Sequence, residues 1–485
     1  MIPGLKFFRR NPLLENSFWS LGSGLVDRFS ALLVLIVLAR VLGKEDYGVF
    51  LFLITTLNLI ANTIISGPAN IFISEIARSR QQSGNKISGV IAMGVFWCAM
   101  IGMLIIVLTL SLDHTIALFL DPGQRLSSGM VRVIGPWAAL VTLAATFTAV
   151  LQGYEWFGRM FFASLGKAVI NLVLCIVLAL FYGIWGAILA FVLTLFIYVM
   201  ILNGLSRKAN RWRLRDGGSL LCSDRPYVSS IVRLSTPLII LSLVQMSADW
   251  GGQFLLAKGG GQWSAVAELG VARQIAFIMP VLSSAVATAG LPYFSKKVND
   301  EHASYFASVV NYIRTNWFMQ IPIGAILICT APYVISILYG NRLAGAADIC
   351  RVLVISYTIF GITGAIGPVL TSKGKTLFLL GINLLRSVTI LLFCYLFLDY
   401  GGTGIALGYL AGECAVLLLL SLVFFNYVRD ILHSIGTPLL QSLPLILVAA
   451  LSFFLTPPVA VLCLIIAILV ELFLFRHLIR DQLFG

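Results

Sequence analysis

Asp27 and Arg28 sit side by side in a run, Ser17 to Leu42, that is otherwise almost wholly apolar. About 20 apolar residues cross a bilayer core of roughly 30 Å, so the run has the length of a membrane span. At about 1.5 Å per residue the two charges lie ~14 Å beyond the aromatic pair Phe18–Trp19, near the middle of such a span. A charge there costs about 2.5–3.5 kcal/mol and must face protein or a hydrated space. Adjacent helical residues point about 100° apart, so the two are poorly placed to neutralise only each other. Later apolar runs carry Lys167, Arg273 and Arg386, and Arg40 and Arg132 stand at span ends. These six cations (Arg28, Lys167, Arg273, Arg386, Arg40 and Arg132) are candidate ligands for an anionic substrate, because guanidinium and ammonium groups hold phosphate, the former bidentately. Asp27, Asp249 and Glu413 are candidates for coupling to a H+ or Na+ gradient, since a carboxyl in a low-dielectric site titrates in a usable range.

Each candidate has a structural alternative. Asp249 and Glu413 could be partners of buried arginines, and Lys167 and Arg386 could snorkel to the nearer interface. Arg28, Lys167, Arg273 and Arg386 are matched in number by Asp27, Asp249, Glu413 and the peripheral Glu471. An anionic ligand therefore needs Arg40, Arg132 or Arg351 to line the same space. Amides such as Asn58, Gln152, Asn171, Gln245, Gln274 and Asn383 could meet sugar hydroxyls, or join helices to one another.

Nothing in the chain supplies catalysis. The four histidines, His114, His302, His433 and His477, are scattered. There is no HExxH, P-loop or nucleophile elbow, and no catalytic residue, metal or cofactor is expected. No external loop approaches domain size, which argues against a membrane polymerase or ligase. The eight cysteines form no CxxC pair and sit mostly in apolar runs, so neither a disulfide framework nor a zinc site is indicated.

The elements that must position these residues are helices. The 485 residues are 59% hydrophobic and 11% charged, and the mean hydropathy is +0.97. That balance belongs to an all-α polytopic membrane protein, because long unalternating apolar runs satisfy their backbones only as helices. About 14 transmembrane helices are read, near 18–42, 47–77, 87–112, 129–152, 160–182, 184–205, 234–257, 265–293, 306–338, 346–371, 376–398, 402–427, 440–456 and 458–476. Pro322 and Pro332 make the ninth the least regular. Most of the 33 lysines and arginines fall on one side if the N-terminus is inside and the spans alternate. The positive-inside rule then puts both termini in the cytoplasm. The first span reads as uncleaved. The net charge of +13 follows from this bias, and no nucleic-acid partner is needed. The basic stretch Arg207–Arg233 reads as a cytoplasmic linker held near anionic headgroups.

The chain repeats itself. At an offset of 219, Lys167 falls on Arg386 and Cys175 on Cys394; after a one-residue gap, Tyr182-Gly183 falls on Tyr400-Gly401 and Gly186 on Gly404. The organisation follows: an N-lobe at 1–205, the linker at 206–233, a C-lobe at 234–427 and two additional C-terminal spans at 428–485. Two pseudo-symmetric six-helix lobes with a site between them are a transporter design.

Ala39-Arg40-Val41-Leu42-Gly43 followed by Tyr47-Gly48, Leu151-Gln152-Gly153 with Phe157, and the two Tyr-Gly-x-x-Gly openings complete a pattern. In this order they resemble the polysaccharide transporter branch of the MOP (multidrug/oligosaccharidyl-lipid/polysaccharide) exporter superfamily, and the chain is similar to Wzx-type O-antigen flippases. The resemblance implies a V-shaped, MATE-like pair of lobes working by alternating access. It implies an undecaprenyl-pyrophosphate-linked oligosaccharide as substrate, carried to the periplasmic leaflet for lipopolysaccharide O-antigen or exopolysaccharide synthesis. A polysaccharide polymerase and a chain-length regulator are implied partners. A MATE-like cation-coupled drug exporter and a lipid II flippase are the sister alternatives.

Overall fold

The computed structural model describes residues 12–81, 87–121, 125–209, 212, 225–259, 262–284, 294, 302–364, 366–372, 375–423, 442–453, 455 and 457–468. The chain ends, most of the basic linker and Glu471 lie outside the described residues. Among the described residues every regular element is a helix. Among these residues nine candidate spans are long and apolar enough to cross a membrane. Two shorter apolar helices, Ser442–Leu451 and Pro457–Ile468, follow in the C-terminal region.

The chain divides into two compact units, Met1–Trp250 and Gly251–Gly485. Unit 1 holds α1 (Pro12–Val41), α2 (Lys44–Gln81), α3 (Ile87–Ser111), α4 (Asp113–Leu120), α5 (Ser128–Gly153) and α6 (Phe157–Ala209). Helix α1 lies along α6, while α2 and α3 both pack on α5. Phe72, Ile76, Ile91, Phe147, Leu151 and Leu202 form much of the core. Small residues bring α3 and α5 together: a Cβ added at Gly102 would sit 2.8 Å from the Ala139 Cβ. Close backbone approach is how helices gain packing energy where lipid supplies no hydrophobic drive. Trp212, in the linker, is buried, stacks near Phe147 and donates to Ser206 Oγ at 3.1 Å.

Helix α7 (Arg225–Lys258) crosses the boundary between the units. The lobe expected to start at residue 234 therefore starts upstream of the observed division. The reason is local bonding: Ser242 Oγ donates to the Asn62 carbonyl at 3.3 Å and Trp250 Nε1 donates to Thr56 Oγ1 at 2.9 Å, both on α2.

Unit 2 continues with α8 (Trp263–Ala276), α9 (His302–Tyr339), α10 (Ala346–Gly364), α11 (Ile366–Ser372), α12 (Thr376–Leu396) and α13 (Gly401–Val423). We label the two last helices α14 (Ser442–Leu451) and α15 (Pro457–Ile468). Ile321, Ala325 and Cys329 on α9 pack with Leu445, Leu464 and Ala467 of α14 and α15.

The repeat is visible in backbone detail. The fifth and sixth expected spans are the two arms of α6, which is broken at Gly183 with φ 56 and ψ −134. The equivalent Gly401 has φ 60 and ψ −136, just ahead of α13. Only glycine adopts this region without strain. The helix His302–Tyr339 runs through both Pro322 and Pro332. Pro332 has no N–H for the Ile328 carbonyl four residues back. Arg351 supplies the donor instead: its Nε lies 3.2 Å from the Ile328 oxygen, and its Nη1 lies 3.2 Å from Asp348 Oδ1. The guanidinium also stacks over Phe453, at the end of α14. Arg351→Leu is expected to lower stability by about 2 kcal/mol, because it leaves a buried carbonyl unpaired. Thermal unfolding in detergent checks this, and Arg351→Lys should recover only part of the loss.

Candidate functional site: two buried ion pairs

In unit 1, Ser23, Asp27, Val34 and Leu38 form one stripe of α1. Their side faces α6. Lys167 Nζ is 2.6 Å from Asp27 Oδ1, and Ser164 Oγ donates to Asp27 Oδ2 at 3.5 Å. The Lys167 ammonium lies 4.8 Å from the centre of the Tyr198 ring, contributed by the other arm of α6. The pair is partly open, with side-chain exposures of 24% for Lys167 and 39% for Asp27. Arg28, one residue round the helix, is exposed.

In unit 2, Arg386 on α12 and Glu413 on α13 form the equivalent centre. Arg386 Nε is 2.9 Å from Glu413 Oε1. Its Nη1 donates to Asn383 Oδ1 at 2.9 Å and its Nη2 to Thr363 Oγ1 at 3.3 Å. Thr363 Oγ1 in turn lies 3.3 Å from Glu413 Oε2, and the Phe360 ring lies 4.9 Å from the guanidinium carbon. Here the side-chain exposures are only 11% and 5%. The guanidinium is therefore enclosed, with its charge set against Glu413 and two of its nitrogens donating to neutral side chains.

The remaining candidates are placed elsewhere. Arg273, on α8, donates to the Tyr409 hydroxyl, and its neighbour Gln274 accepts from the Tyr339 hydroxyl at 2.7 Å. Asp249 is half-buried on α7. Arg40 is exposed in the last turn of α1, where a cation suits the helix dipole. Arg132 pairs with Asp113, Nε to Oδ2, at 2.6 Å. Nearby, Arg125 pairs with Glu45. A further neutral cluster lies in unit 2, where Gln320 Nε2 donates to Ser283 Oγ at 2.6 Å. Among the described residues no group of three or more His, Cys, Asp or Glu side chains could hold a metal ion.

Hydrogen bonding from Arg132, helped by the His114 backbone N–H, holds the Asp113 carboxyl below the ordinary carboxylate range. A lowered folded-state value means the pair stabilises the fold above the ordinary value of about 3.9 and loses that effect as pH falls through the depressed one. Arg132→Gln should therefore be less stable than the native chain at pH 7. The difference should vanish once both proteins are below the depressed value, as unfolding temperatures across a pH series would show.

Sequence reasoning named both members of each ion pair but not the pairings. It passed over Ser164, Tyr198, Thr363, Phe360 and Tyr409. Residues of these types are common in apolar spans, and only packing brings them to the charges. Asn383 carried a usable signal, being three residues before Arg386 on one helical face.

A repeated bundle of apolar, membrane-length helices, with a paired cation at matching positions of its two copies, is the fold of a multi-pass membrane protein. The polysaccharide biosynthesis protein family profile matches residues 37–348. The chain belongs to this family. No curated protein sequence matches it. Among solved structures, the lipid II flippase MurJ in an inward closed conformation superposes with a TM-score of 0.75 at 16% identity, covering 96% of this chain and 99% of MurJ. An inward-facing multidrug resistance MATE family transporter gives 0.68 at 18% identity, covering 84% and 95%. A MOP superfamily transporter from Pyrococcus furiosus, described as having a binding pocket of reversed polarity, gives 0.56 at 16% identity, covering 89% and 99%.

Proposed function

We propose that this protein is a flippase for undecaprenyl-pyrophosphate-linked oligosaccharide repeat units, moving them from the cytoplasmic to the periplasmic leaflet by alternating access. Membership of the polysaccharide biosynthesis family carries this reading. The partly open Lys167 is consistent with a pyrophosphate head group. The distribution of lysine and arginine supports an inner-membrane location with both termini in the cytoplasm. The product would feed O-antigen or exopolysaccharide assembly, with a polymerase and a chain-length regulator as downstream partners. If transport draws on a H+ or Na+ gradient, the partly exposed Asp27 is more accessible to the ion than Glu413, which is buried against Arg386.

The likeness to MurJ over 96% of the chain favours one second reading, a lipid II substrate. Both substrates offer a polyprenyl pyrophosphate and differ in the sugar. Purified protein in liposomes holding a labelled undecaprenyl-pyrophosphate oligosaccharide should make the label accessible across the membrane faster than empty liposomes do. Exchange of lipid II alone would move the protein to the second reading. Proton-driven uptake of a cationic dye, with neither lipid exchanged, would move it to the drug exporters.

A further inference from the structure

The internal repeat equates Lys167 with Arg386, yet the two cations are held in different ways. Arg386 is enclosed: its Nε lies 2.9 Å from Glu413 Oε1, and its Nη1 and Nη2 donate to Asn383 and Thr363. Lys167 has three N–H donors. The described residues offer them one carboxylate oxygen, Asp27 Oδ1, and one ring face, Tyr198. Nor are the partners equivalent. Glu413 comes from the last helix of its copy of the repeat, while Asp27 comes from the first helix of the other.

The open side of the Lys167 pair does not face lipid. Along the first arm of α6 the exposed apolar stripe is Phe162, Leu165, Val169 and Val173. Lys167 falls on the other side, with the buried Ser164 and Ala168. On α1, Asp27 shares the stripe of buried Ser23, Val34 and Leu38, whereas Leu25, Phe29 and Leu33 are exposed. The open side of the pair therefore lies away from the exposed apolar stripes of both helices.

We propose that Asp27 is a built-in competitor for an anionic head group. A phosphate or pyrophosphate oxygen takes the place of the Asp27 carboxylate on Lys167, with the Ser164 hydroxyl as a second donor, and Arg386 takes no part. This regulation rests on the reading of the substrate as a lipid pyrophosphate. It adds that the resting site is self-occupied, so that unit 1 alone changes its ion pair when ligand arrives. A partly solvated pair is weak, and exchanging one anion for another leaves the ammonium paired throughout. A pair as enclosed as Arg386–Glu413 has no such route.

The test uses the full chain in phosphatidylcholine nanodiscs at pH 7, with inorganic pyrophosphate and a short prenyl pyrophosphate as probes in a calorimetric titration. Asp27→Asn removes the competitor but keeps the side-chain size, and should tighten binding about fivefold or more. Lys167→Gln should abolish it, and Lys167→Arg should retain it. Tighter binding of the prenyl form would point to a lipid head group, and equal binding to free pyrophosphate; both support the exchange. Unchanged or weaker binding in Asp27→Asn, with the protein monodisperse, would overturn it. So would full binding in Lys167→Gln. The substrate reading can fail separately: the tightening could be seen in a protein that flips no lipid-linked oligosaccharide. Conversely, native flipping by Lys167→Gln would sink the site and leave the function standing.

Discussion

Glu413→Ala is expected to destabilise unit 2 by about 3–5 kcal/mol, the usual result of stranding one member of a buried ion pair. The carboxylate holds Arg386 Nε at 2.9 Å and also stands within 3.3 Å of Thr363 Oγ1. Asn383 and Thr363 remain in the variant, but both are neutral. They can orient the guanidinium without balancing its charge. Glu413→Gln should cost less, since its carbonyl oxygen can still accept from Arg386. Replacing both members with apolar residues, as in Arg386→Met with Glu413→Leu, should recover most of the loss, because the pair has no large net advantage over a well-packed apolar core. Unfolding temperatures of the single and double variants in one detergent check this. If Glu413→Ala melts with the native chain, Arg386 is not sealed in the way its contacts imply.

Gly404→Ala should be at least as damaging, with a cost of about 3 kcal/mol or more. A Cβ at this position would stand 1.8 Å from the Phe397 carbonyl oxygen. That atom is backbone in the turn leading to Gly401, so no side-chain rotation relieves the clash. Gly186→Ala meets the same obstacle in unit 1, at 1.8 Å from the Leu178 carbonyl oxygen. The two variants should fail alike, since each glycine follows a positive-φ glycine by three residues in its copy of the repeat. Gly166→Ala and Gly204→Ala are the controls: nothing lies within 4 Å of a Cβ at either position. Both controls should be neutral or slightly stabilising, because alanine favours the helix. Yield of monodisperse protein and its melting temperature separate these outcomes.

The glycine pair shows what could be read from residues alone. Tyr182-Gly183 with Gly186, and Tyr400-Gly401 with Gly404, announce a sharp reversal by their types and spacing, and the backbone reverses at both. The ends of most long helices were legible too, because a hydrocarbon core imposes a length on any apolar run that crosses it. The short helix Asp113–Leu120 was not: its eight residues look like a continuation of the apolar span before it. The pairing of Asp27 with Lys167 was also hidden. Helical phase puts Asp27 on the buried stripe of α1, but which helix faces that stripe is a matter of three-dimensional packing. Nor could the sequence show which acid meets Lys167 and which meets Arg386. A buried charge finds the nearest opposite charge, and sequence distance sets no limit on that search.

The break at Pro332 also puts an order on the birth of the protein. As α9 leaves the ribosome, the Ile328 carbonyl is uncovered, and no residue made so far is the one that serves it. Its donor, Arg351, is synthesised later, on α10, and the ring that covers that donor, Phe453, later still. The ninth helix therefore reaches its final state only after two more stretches of chain have entered the membrane. A ribosome stalled before Arg351 should hold an α9 that is more open to water-soluble cysteine reagents around Cys329 than the same helix in the finished chain.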